Sequence, residues 1–285
     1  MIEGQEDVTW EQWTAIADAC EANRIPALFR SDHYLSVFGQ GGRGSLDAWG
    51  TICGLAARTS TLRLGTMVSP ASFRHPATFA KLVATADHIS GGRIEPALGA
   101  GWHQAEHAAH GLPFLPGRER SAVLAEQLEI VTGFWSDGEF EFHGEHYDVA
   151  PVDVLPKPVQ RPMPLIMGGQ AGPKSAALAA RYATEYNTAI PTFEQVVERR
   201  AAIARAWQEA GRDPETVRFS VMTGAALGRD EAEAADRLAR ARERAGIGDS
   251  LDCGFTGSPE QVIEQLRRHR DAGVDRVMMQ LLLHD

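Results

Sequence analysis

The stretch Pro26-Ala27-Leu28-Phe29-Arg30-Ser31-Asp32-His33-Tyr34 places titratable side chains directly after a short apolar run. The run has the length of a buried strand in a parallel sheet, so Asp32 and His33 are predicted to lie where that strand ends. Histidine titrates near neutral pH and an adjacent carboxylate can hold its ring, which suits proton transfer or a hydrogen bond to a polar cofactor. The alternative is that Asp32 caps the next segment and His33 only packs.

On either side of this stretch the chain alternates strand-like and helix-like periods. The alternation, without a second glycine-rich dinucleotide fingerprint, favours a closed (β/α)8 TIM barrel over an open doubly wound sheet. The predicted strands cover residues 1–4, 26–30, 62–69, 94–99, 164–167, 183–187, 217–224 and 276–282. The predicted helices cover residues 10–20, 46–58, 76–90, 118–135, 193–210 and 230–245, and two more begin near residues 174 and 259.

Residues 136–163, approximately, are predicted to form an excursion after the fourth strand-helix unit of the barrel. Within it, residues 139–148 contain two alternating runs around Gly144, which predicts a β-hairpin. We therefore predict a single domain over residues 1–285. Two strands are irregular, because the first is short and Pro96 removes a hydrogen-bond donor from the fourth.

Composition restricts the class of partner. A length of 285 residues is normal for one barrel, and 44% hydrophobic residues are enough for a large core. The net charge of −10 and the absence of a basic block argue against nucleic acid and acidic membranes, which leaves a small-molecule partner. Cys20, Cys53 and Cys253 are distant from one another in the sequence, so we predict neither a disulfide framework nor a zinc site. This cysteine usage predicts a reducing, cytoplasmic location. The sequence shows no signal core and no membrane span.

A glycine-rich segment, Gly168-Gly169-Gln170-Ala171-Gly172, follows the fifth predicted strand and precedes a helix. Such a junction presents backbone N–H groups and a helix dipole to an anion, which predicts a phosphate site, although a plain tight turn is the alternative. Barrel phosphate sites more commonly use the loops after strands seven and eight. In a barrel the loops after the strands form one active face, so the following residues are predicted to converge on a single pocket: Asp32, His33, Ser69, residues 99–103 and residues 168–172.

Dispersed motifs along nearly the whole chain resemble the bacterial luciferase-like monooxygenases and the flavin- or deazaflavin-dependent oxidoreductases. The resemblance implies a luciferase-like barrel that holds FMN or coenzyme F420, and a homodimer. The motifs are Arg30-Ser31-Asp32-His33, Leu64-Gly65-Thr66 with Pro70, Phe73-Arg74-His75-Pro76, Ala80-Lys81, Ala84-Thr85-Ala86-Asp87, Ser90-Gly91-Gly92-Arg93, Gly99-Ala100-Gly101-Trp102, Pro156-Lys157-Pro158-Val159-Gln160 and Met167-Gly168-Gly169.

The resemblance also implies roles for individual residues. Asp32 and His33 would face the cofactor ring, and Ser69 would lie against it at a bulge where the family often has a non-prolyl cis peptide. The pairing of Asp32 with His33 resembles the F420-using branch, while FMN stays an alternative. The residues along the cofactor chain would be Ala100 and Gly101, and those at its phosphate Gly168, Gly169, Gln170 and Ala171.

These expectations combine into an F420-dependent oxidoreductase that transfers a hydride between C5 of the deazaflavin and a small organic substrate. We predict that His33 either transfers the proton or forms a hydrogen bond to developing charge on the cofactor ring, and that Asp32 orients the His33 side chain. Trp102, His103 and Glu106 are predicted to line the substrate pocket, with core packing as the alternative for Trp102.

Three other functions stay open at this stage. They are an FMN-dependent monooxygenase, a non-catalytic flavin- or F420-binding protein and a metal-dependent barrel hydrolase. No metal site is predicted, because no recognisable ligand pattern joins the histidines to a carboxylate. The histidines considered are His75, His103, His107 and His110.

Overall fold

The structure is a computed structural model that describes residues 1–38, 42–246 and 254–283. Residues 39–44 contain four glycines and are predicted from the sequence to form a loop, which therefore lies partly outside the described residues. Cys253 also lies outside them. The chain divides into two compact units. The N-terminal unit comprises Gly4–Val37 and Arg43–Ile166, and the C-terminal unit comprises Met1–Glu3, Phe38–Gly42 and Met167–Asp285. The single-domain organisation stays a prediction.

The N-terminal unit contains two sets of parallel strands. Strands β1, β2 and β4 pair in that order, with Leu28 opposite Leu64 and Leu64 opposite Ile94, while β3 pairs with β5. The strands are β1 (Ala27–Arg30), β2 (Arg63–Thr66), β3 (Ser69–Pro70), β4 (Ile94–Glu95) and β5 (Ala97–Gly99). The helices are α1 (Trp10–Ala22), α2 (Ala48–Arg58), α3 (Pro76–Ser90), α4 (Gln104–Ala109) and α5 (Gly117–Trp135).

Two predicted strands of this unit are each divided in the structure. The strand expected at 94–99 breaks at Pro96, which has no N–H to donate, and so becomes β4 and β5. The strand expected at 62–69 breaks between Thr66 and Ser69, around a cis peptide bond that joins Met67 to Val68. Prediction of one continuous strand was therefore wrong in both places.

Local capping chemistry explains where the helices begin. Thr9 accepts a hydrogen bond from the amide of Gln12, whose side chain accepts one from the amide of Thr9, so α1 begins with a capping box. Asp47 caps α2 through the amide of Gly50. Pro76 is the first residue of α3, where a missing N–H is harmless.

The predicted hairpin is confirmed by strands β6 (Phe140–His143) and β7 (Asp148–Val152), which pair antiparallel after α5. The core of the N-terminal unit lies between its helices and parallel strands. Trp49 of α2 packs edge-on against Phe79 of α3, with 5.5 Å between ring centroids, and both rings are buried. This packing joins α2 to α3.

The C-terminal unit is also built from parallel strands, with β10 pairing with β9, β11 and β12. Strand β11 was not predicted from the sequence. Of the predicted first strand, only Ile2 forms a bridge, with Leu281. The elements are β8 (Ile166–Gly168), α6 (Pro173–Tyr182), β9 (Glu185–Ala189), α7 (Phe193–Glu209), β10 (Arg218–Leu227), α8 (Glu231–Ala245), β11 (Phe255–Gly257), α9 (Pro259–Asp271) and β12 (Arg276–Gln280). Among the described residues, no helix has the length and hydropathy needed to cross a bilayer.

Candidate active site

The imidazole of His33, just beyond the end of β1, is bonded to a buried carboxylate on α4. His33 Nδ1 lies 2.8 Å from Oε2 of Glu106, whose side chain is 0% exposed, whereas that of His33 is 12% exposed. The second oxygen, Oε1, accepts the backbone N–H of Tyr34 and, at 3.0 Å, that of Leu35. Glu106 therefore holds both the ring and the loop that carries it.

The charge on Glu106 determines which nitrogen of His33 carries the proton. Burial alone would raise the pKa of Glu106, but the hydrogen bond and charge of His33 and the two backbone amides outweigh it, and the pKa lies below its ordinary value. An ionised carboxylate only accepts hydrogen bonds, so the proton of the neutral ring lies on Nδ1 and the lone pair on Nε2. The pair thus presents Nε2 as a base.

Asp32 does not orient His33, contrary to the sequence prediction. Its carboxylate is completely buried and accepts hydrogen bonds from Ser69 Oγ at 2.6 Å and from Arg74 Nη1 and Nη2 at 2.6 and 3.2 Å. The carboxylate that holds the ring is Glu106, whose side chain is buried, and its predicted place in the substrate pocket stays a prediction. Asp32 instead ties the end of β1 to β3 and the following turn.

Arg74 is the counter-ion of this network and was missed as a functional residue. Its Nη2 also donates to Oδ2 of Asp47 at 2.9 Å and to Oη of Tyr34 at 3.1 Å. Burial would lower the pKa of Arg74, but the charge and hydrogen bond of Asp32 outweigh it and raise the pKa. A buried carboxylate needs a cation or several donors, and that requirement was the available signal for Arg74.

Ser69 is buried and its hydroxyl has partners on two sides. Trp49 Nε1 donates to Ser69 Oγ at 3.0 Å, and Ser69 Oγ lies 2.6 Å from Asp32. The non-prolyl cis peptide expected beside Ser69 is present between Met67 and Val68. The Ser69 side chain therefore positions Asp32, and its predicted contact with a cofactor ring stays a prediction.

Trp102 and His103 form an aromatic wall beside His33. Trp102 is 63% exposed, so the alternative that it packs in the core is wrong. Its ring stacks on His103, with centroids 5.0 Å apart, and meets the His33 ring edge-on at 5.7 Å. His103 Nδ1 lies 3.8 Å from Glu106 Oε2, and burial lowers the pKa of His103 although Glu106 opposes the shift. An exposed aromatic face thus adjoins the base.

The spacing His103-Gln104-Ala105-Glu106-His107 was the sequence signal for this cluster, since a helix turn brings such positions together. The structure uses two of the three residues at the site. His107 is buried and turned away, with Nε2 2.6 Å from Ser72 Oγ and Nδ1 2.8 Å from the backbone oxygen of His103. The third member of the cluster is His33, which the sequence predicts as a site residue but does not link to Glu106.

Ala100 and Gly101 follow β5 within the N-terminal unit. Gly101 has a φ of +78°, and a Cβ there would lie 3.1 Å from Ser72 Oγ, so only glycine fits without strain. Ala100 lines a cavity of about 360 Å³, in the size range of small-molecule sites. Other lining residues are Ser72, Arg74, Arg120, His146 and Tyr147.

The glycine-rich segment, in the C-terminal unit, uses two of its predicted phosphate donors internally. The amide of Gly169 donates to the backbone oxygen of Asn187 at 3.0 Å, and that of Ala171 donates to Tyr186 Oη at 2.8 Å. The segment leads into α6, which begins at Pro173 after Gly172 without a side-chain cap. Phosphate binding at Gly168, Gly169, Gln170 and Ala171 stays a prediction, and direct bonds from Gly169 and Ala171 would require their present partners to be released.

Comparison with known proteins identifies a matching family and several relatives. The profile of the luciferase-like monooxygenase family matches residues 3–256. An uncharacterized protein of Mycobacterium tuberculosis is 35% identical over 179 residues, which is 62% of this chain and 62% of that protein. The chain thus matches less than two thirds of the length of this relative. The FMNH(2)-dependent dimethylsulfone monooxygenase of Pseudomonas putida is 28% identical over 256 residues, covering 79% of this chain and 70% of that enzyme.

Among solved structures, an F420-dependent secondary alcohol dehydrogenase in complex with an F420-acetone adduct superposes with a TM-score of 0.86. The two share 18% sequence identity, and the superposition covers 98% of this chain and 91% of the dehydrogenase. At that identity the likeness concerns the fold. It confirms the predicted luciferase-like (β/α)8 TIM barrel.

Proposed function

Because the chain belongs to the luciferase-like monooxygenase family, we propose that it is an oxidoreductase that uses coenzyme F420. The reaction is hydride transfer between C5 of the deazaflavin and a small organic substrate. The observation that carries this proposal is the pair formed by His33 and the buried, ionised Glu106. Hydride transfer to or from a carbon that bears oxygen also moves a proton, and this pair supplies a site for it.

The proton is handled by Nε2 of His33. When a hydride leaves the carbon of an alcohol, the hydroxyl proton passes to Nε2 and a carbonyl forms, and in the reverse direction Nε2H⁺ protonates the oxygen as the hydride arrives. Glu106 accepts the Nδ1–H throughout and stabilises the imidazolium that forms. His33 is therefore the catalytic residue, with Glu106 as its positioning residue.

The wall beside His33 suits a flat heterocycle. The exposed ring of Trp102, whose centroid lies 5.7 Å from that of the His33 ring, offers an apolar, planar surface next to the base. When bound, the cofactor supplies the hydride chemistry, and the protein supplies orientation and proton transfer. Asp32, Ser69 and Arg74 form the buried network that holds the end of β1, next to His33.

Within the C-terminal unit, we propose that the start of α6 can bind a phosphate group. The first N–H groups of an α-helix have no partner within the helix, and the helix dipole favours an anion there. Lys174 and Ser175 lie in this first turn, and Lys174 adds a positive charge. The proposed site lies in the predicted segment. Its hydrogen-bond donors would be the amides of Gln170 and of the start of α6, because the amides of Gly169 and Ala171 already have partners.

A second candidate function is FMN-dependent monooxygenation. The FMNH(2)-dependent relative from Pseudomonas putida, 28% identical over 256 residues, favours it. The two functions differ in their need for oxygen, since a monooxygenase incorporates an oxygen atom and hydride transfer needs none. The small-molecule substrate is a proposal in either case.

Titration of the purified full chain with each cofactor tests the proposal. Fluorescence of the bound ring is followed with F420 and, separately, with FMN, and F420 is expected to bind at least about tenfold more tightly, a difference of about 1.4 kcal/mol. Trp102→Ala should weaken F420 binding, whereas Trp10→Ala, at another exposed tryptophan, should not. Tighter binding of FMN would overturn the choice of F420 and favour the second candidate.

A further inference from the structure

His33, His103 and Glu106 together resemble the ligand set of a transition-metal site. Each offers one ligand atom, and within the described residues these three atoms lie within 4.8 Å of one another. In a tetrahedral zinc site with bonds of about 2.0–2.1 Å, ligand atoms lie about 3.3 Å apart. A movement of one imidazole by roughly 1.5 Å would bring the set to that geometry.

One of the three atoms lacks any other partner. Among the residues that the structure describes, the buried Nδ1 of His103 has no hydrogen-bond partner, and its distance of 3.8 Å from Glu106 is too long for one. A buried ring nitrogen without a partner is destabilising, and a metal ion that used its lone pair would satisfy it. Stacking on Trp102 fixes the plane of the His103 ring.

Glu106 is held as a ligand carboxylate usually is. Its Oε1 is fixed by the amides of Tyr34 and Leu35, which leaves Oε2 directed at the two imidazoles. Two neutral imidazoles and one carboxylate form a nitrogen-rich set that suits Zn²⁺, Co²⁺ or Ni²⁺ better than Mg²⁺ or Ca²⁺, which take oxygen ligands. A fourth position would be open to water.

We propose that Zn²⁺ binds reversibly at His33 Nδ1, His103 Nδ1 and Glu106 Oε2. Coordination at Nδ1 moves the proton of the neutral His33 ring to Nε2 and ends the hydrogen bond to Glu106. The ring can then no longer accept a proton, so Zn²⁺ is an inhibitor of the reaction proposed above. The inhibition rests on the proposed function, whereas the binding rests only on the three side chains.

Cobalt substitution tests the site without any cofactor or substrate. The full chain, treated with a chelator, is titrated with Co²⁺, followed by displacement with Zn²⁺. We expect one equivalent of Co²⁺ to give the visible d–d bands of a tetrahedral site and Zn²⁺ to remove them. His103→Ala should lower the affinity for Zn²⁺ by at least tenfold.

The matched control is His143→Ala, which removes an exposed histidine that contacts Asp148 and is the obvious place for adventitious metal binding. This variant should bind Co²⁺ as the wild type does. Retention of full affinity in His103→Ala, loss of binding in His143→Ala, or no tetrahedral bands in the wild-type protein would each overturn the proposal. Even if His103→Ala does not fold, the absence of tetrahedral bands in the wild-type spectrum would still overturn the proposal. Circular dichroism checks the fold of both variants.

Discussion

The carboxylate of Glu106 lies 2.8 Å from Nδ1 of His33, although 73 residues separate them in the chain. The same carboxylate accepts the amides of Tyr34 and Leu35, so it fixes the loop after β1 as well as the ring. One buried group thus couples the stability of this loop to the basicity of Nε2. Substitutions at Glu106 should therefore change stability and catalysis together, and the following experiments separate the two effects.

Glu106→Gln should lower turnover while leaving cofactor binding nearly unchanged. The amide keeps the size of the side chain but loses the charge that stabilises the imidazolium, and we expect turnover to fall about 10- to 100-fold. Steady-state kinetics alongside fluorescence titration measure the two quantities. Glu119→Gln, at an exposed position in the first turn of α5, serves as the control and should retain full turnover. Equal turnover in Glu106→Gln and the wild type would remove Glu106 from the mechanism.

The pH dependence of stability should contain a contribution from Glu106. Its pKa in the folded protein lies below the ordinary value of 4.5, so its contribution to the free energy of unfolding is complete above about pH 4.5 and is lost as the pH falls through the lower folded pKa. Urea unfolding of the wild type and of Glu106→Gln at several pH values measures this. Below pH 4.5 the free energy of unfolding should fall less in the variant than in the wild type. If it falls equally in both proteins, the ionised form of Glu106 does not stabilise the fold.

His103 should contribute in a separate pH range. Its pKa lies below the ordinary value of 6.5 because burial disfavours the cation. The folded protein therefore binds this proton more weakly than the unfolded chain, and stability should fall as the pH decreases below about 6.5 towards the folded pKa. NMR titration of the ring in the wild type checks the direction. A midpoint above 6.5 would contradict it.

Arg74→Met should destabilise the N-terminal unit by about 3–5 kcal/mol, because it leaves the carboxylate of Asp32 buried without its cation. Arg58→Met is the matched control, since Arg58 pairs with Asp18 on the surface and such pairs contribute about 0–1 kcal/mol. Urea denaturation gives both values. Similar effects for the two variants would show that Asp32 is stabilised by other groups.

Gly101→Ala should destabilise the protein more than Gly111→Ala. Both glycines have positive φ, +78° and +65°, so both variants carry the strain of a left-handed backbone, about 1–2 kcal/mol. Only at Gly101 would the new Cβ also crowd a neighbour, 3.1 Å from Ser72 Oγ, and we expect about 1 kcal/mol more there. If thermal or urea unfolding shows equal losses of stability in the two variants, the turn that carries Ser72 moves aside at no energetic cost.

Features that depend on local chemistry could be predicted from the sequence. The start of α1 at Trp10, the start of α3 at Pro76 and the hairpin of β6 and β7 follow from residues a few positions apart, and each is confirmed. The luciferase-like barrel was also predictable, because dispersed motifs along the chain all indicate it. Pro96 was recognised as a difficulty, and the structure resolves it by dividing the strand.

Features that depend on side-chain direction could not be predicted. Adjacency in sequence suggested that Asp32 orients His33, but Asp32 pairs with Arg74 and Ser69, and the orienting carboxylate comes from α4. Nothing in the local pattern specifies a partner 73 residues away. The exposure of Trp102 was likewise undetermined, because large aromatic side chains occur both in cores and on site walls.

Oxygen-free turnover tests the central claim, that His33 and F420 together carry out hydride transfer. The full chain is mixed anaerobically with reduced F420 and a panel of small aldehydes and ketones, and the absorbance of the deazaflavin is followed with the wild type and with His33→Ala. We expect at least one carbonyl compound to reoxidise the cofactor with the wild type, and about 10²- to 10⁴-fold more slowly with the variant. No reoxidation with any compound, together with incorporation of an oxygen atom from O₂ into a product by the protein and reduced FMN, would contradict the claim.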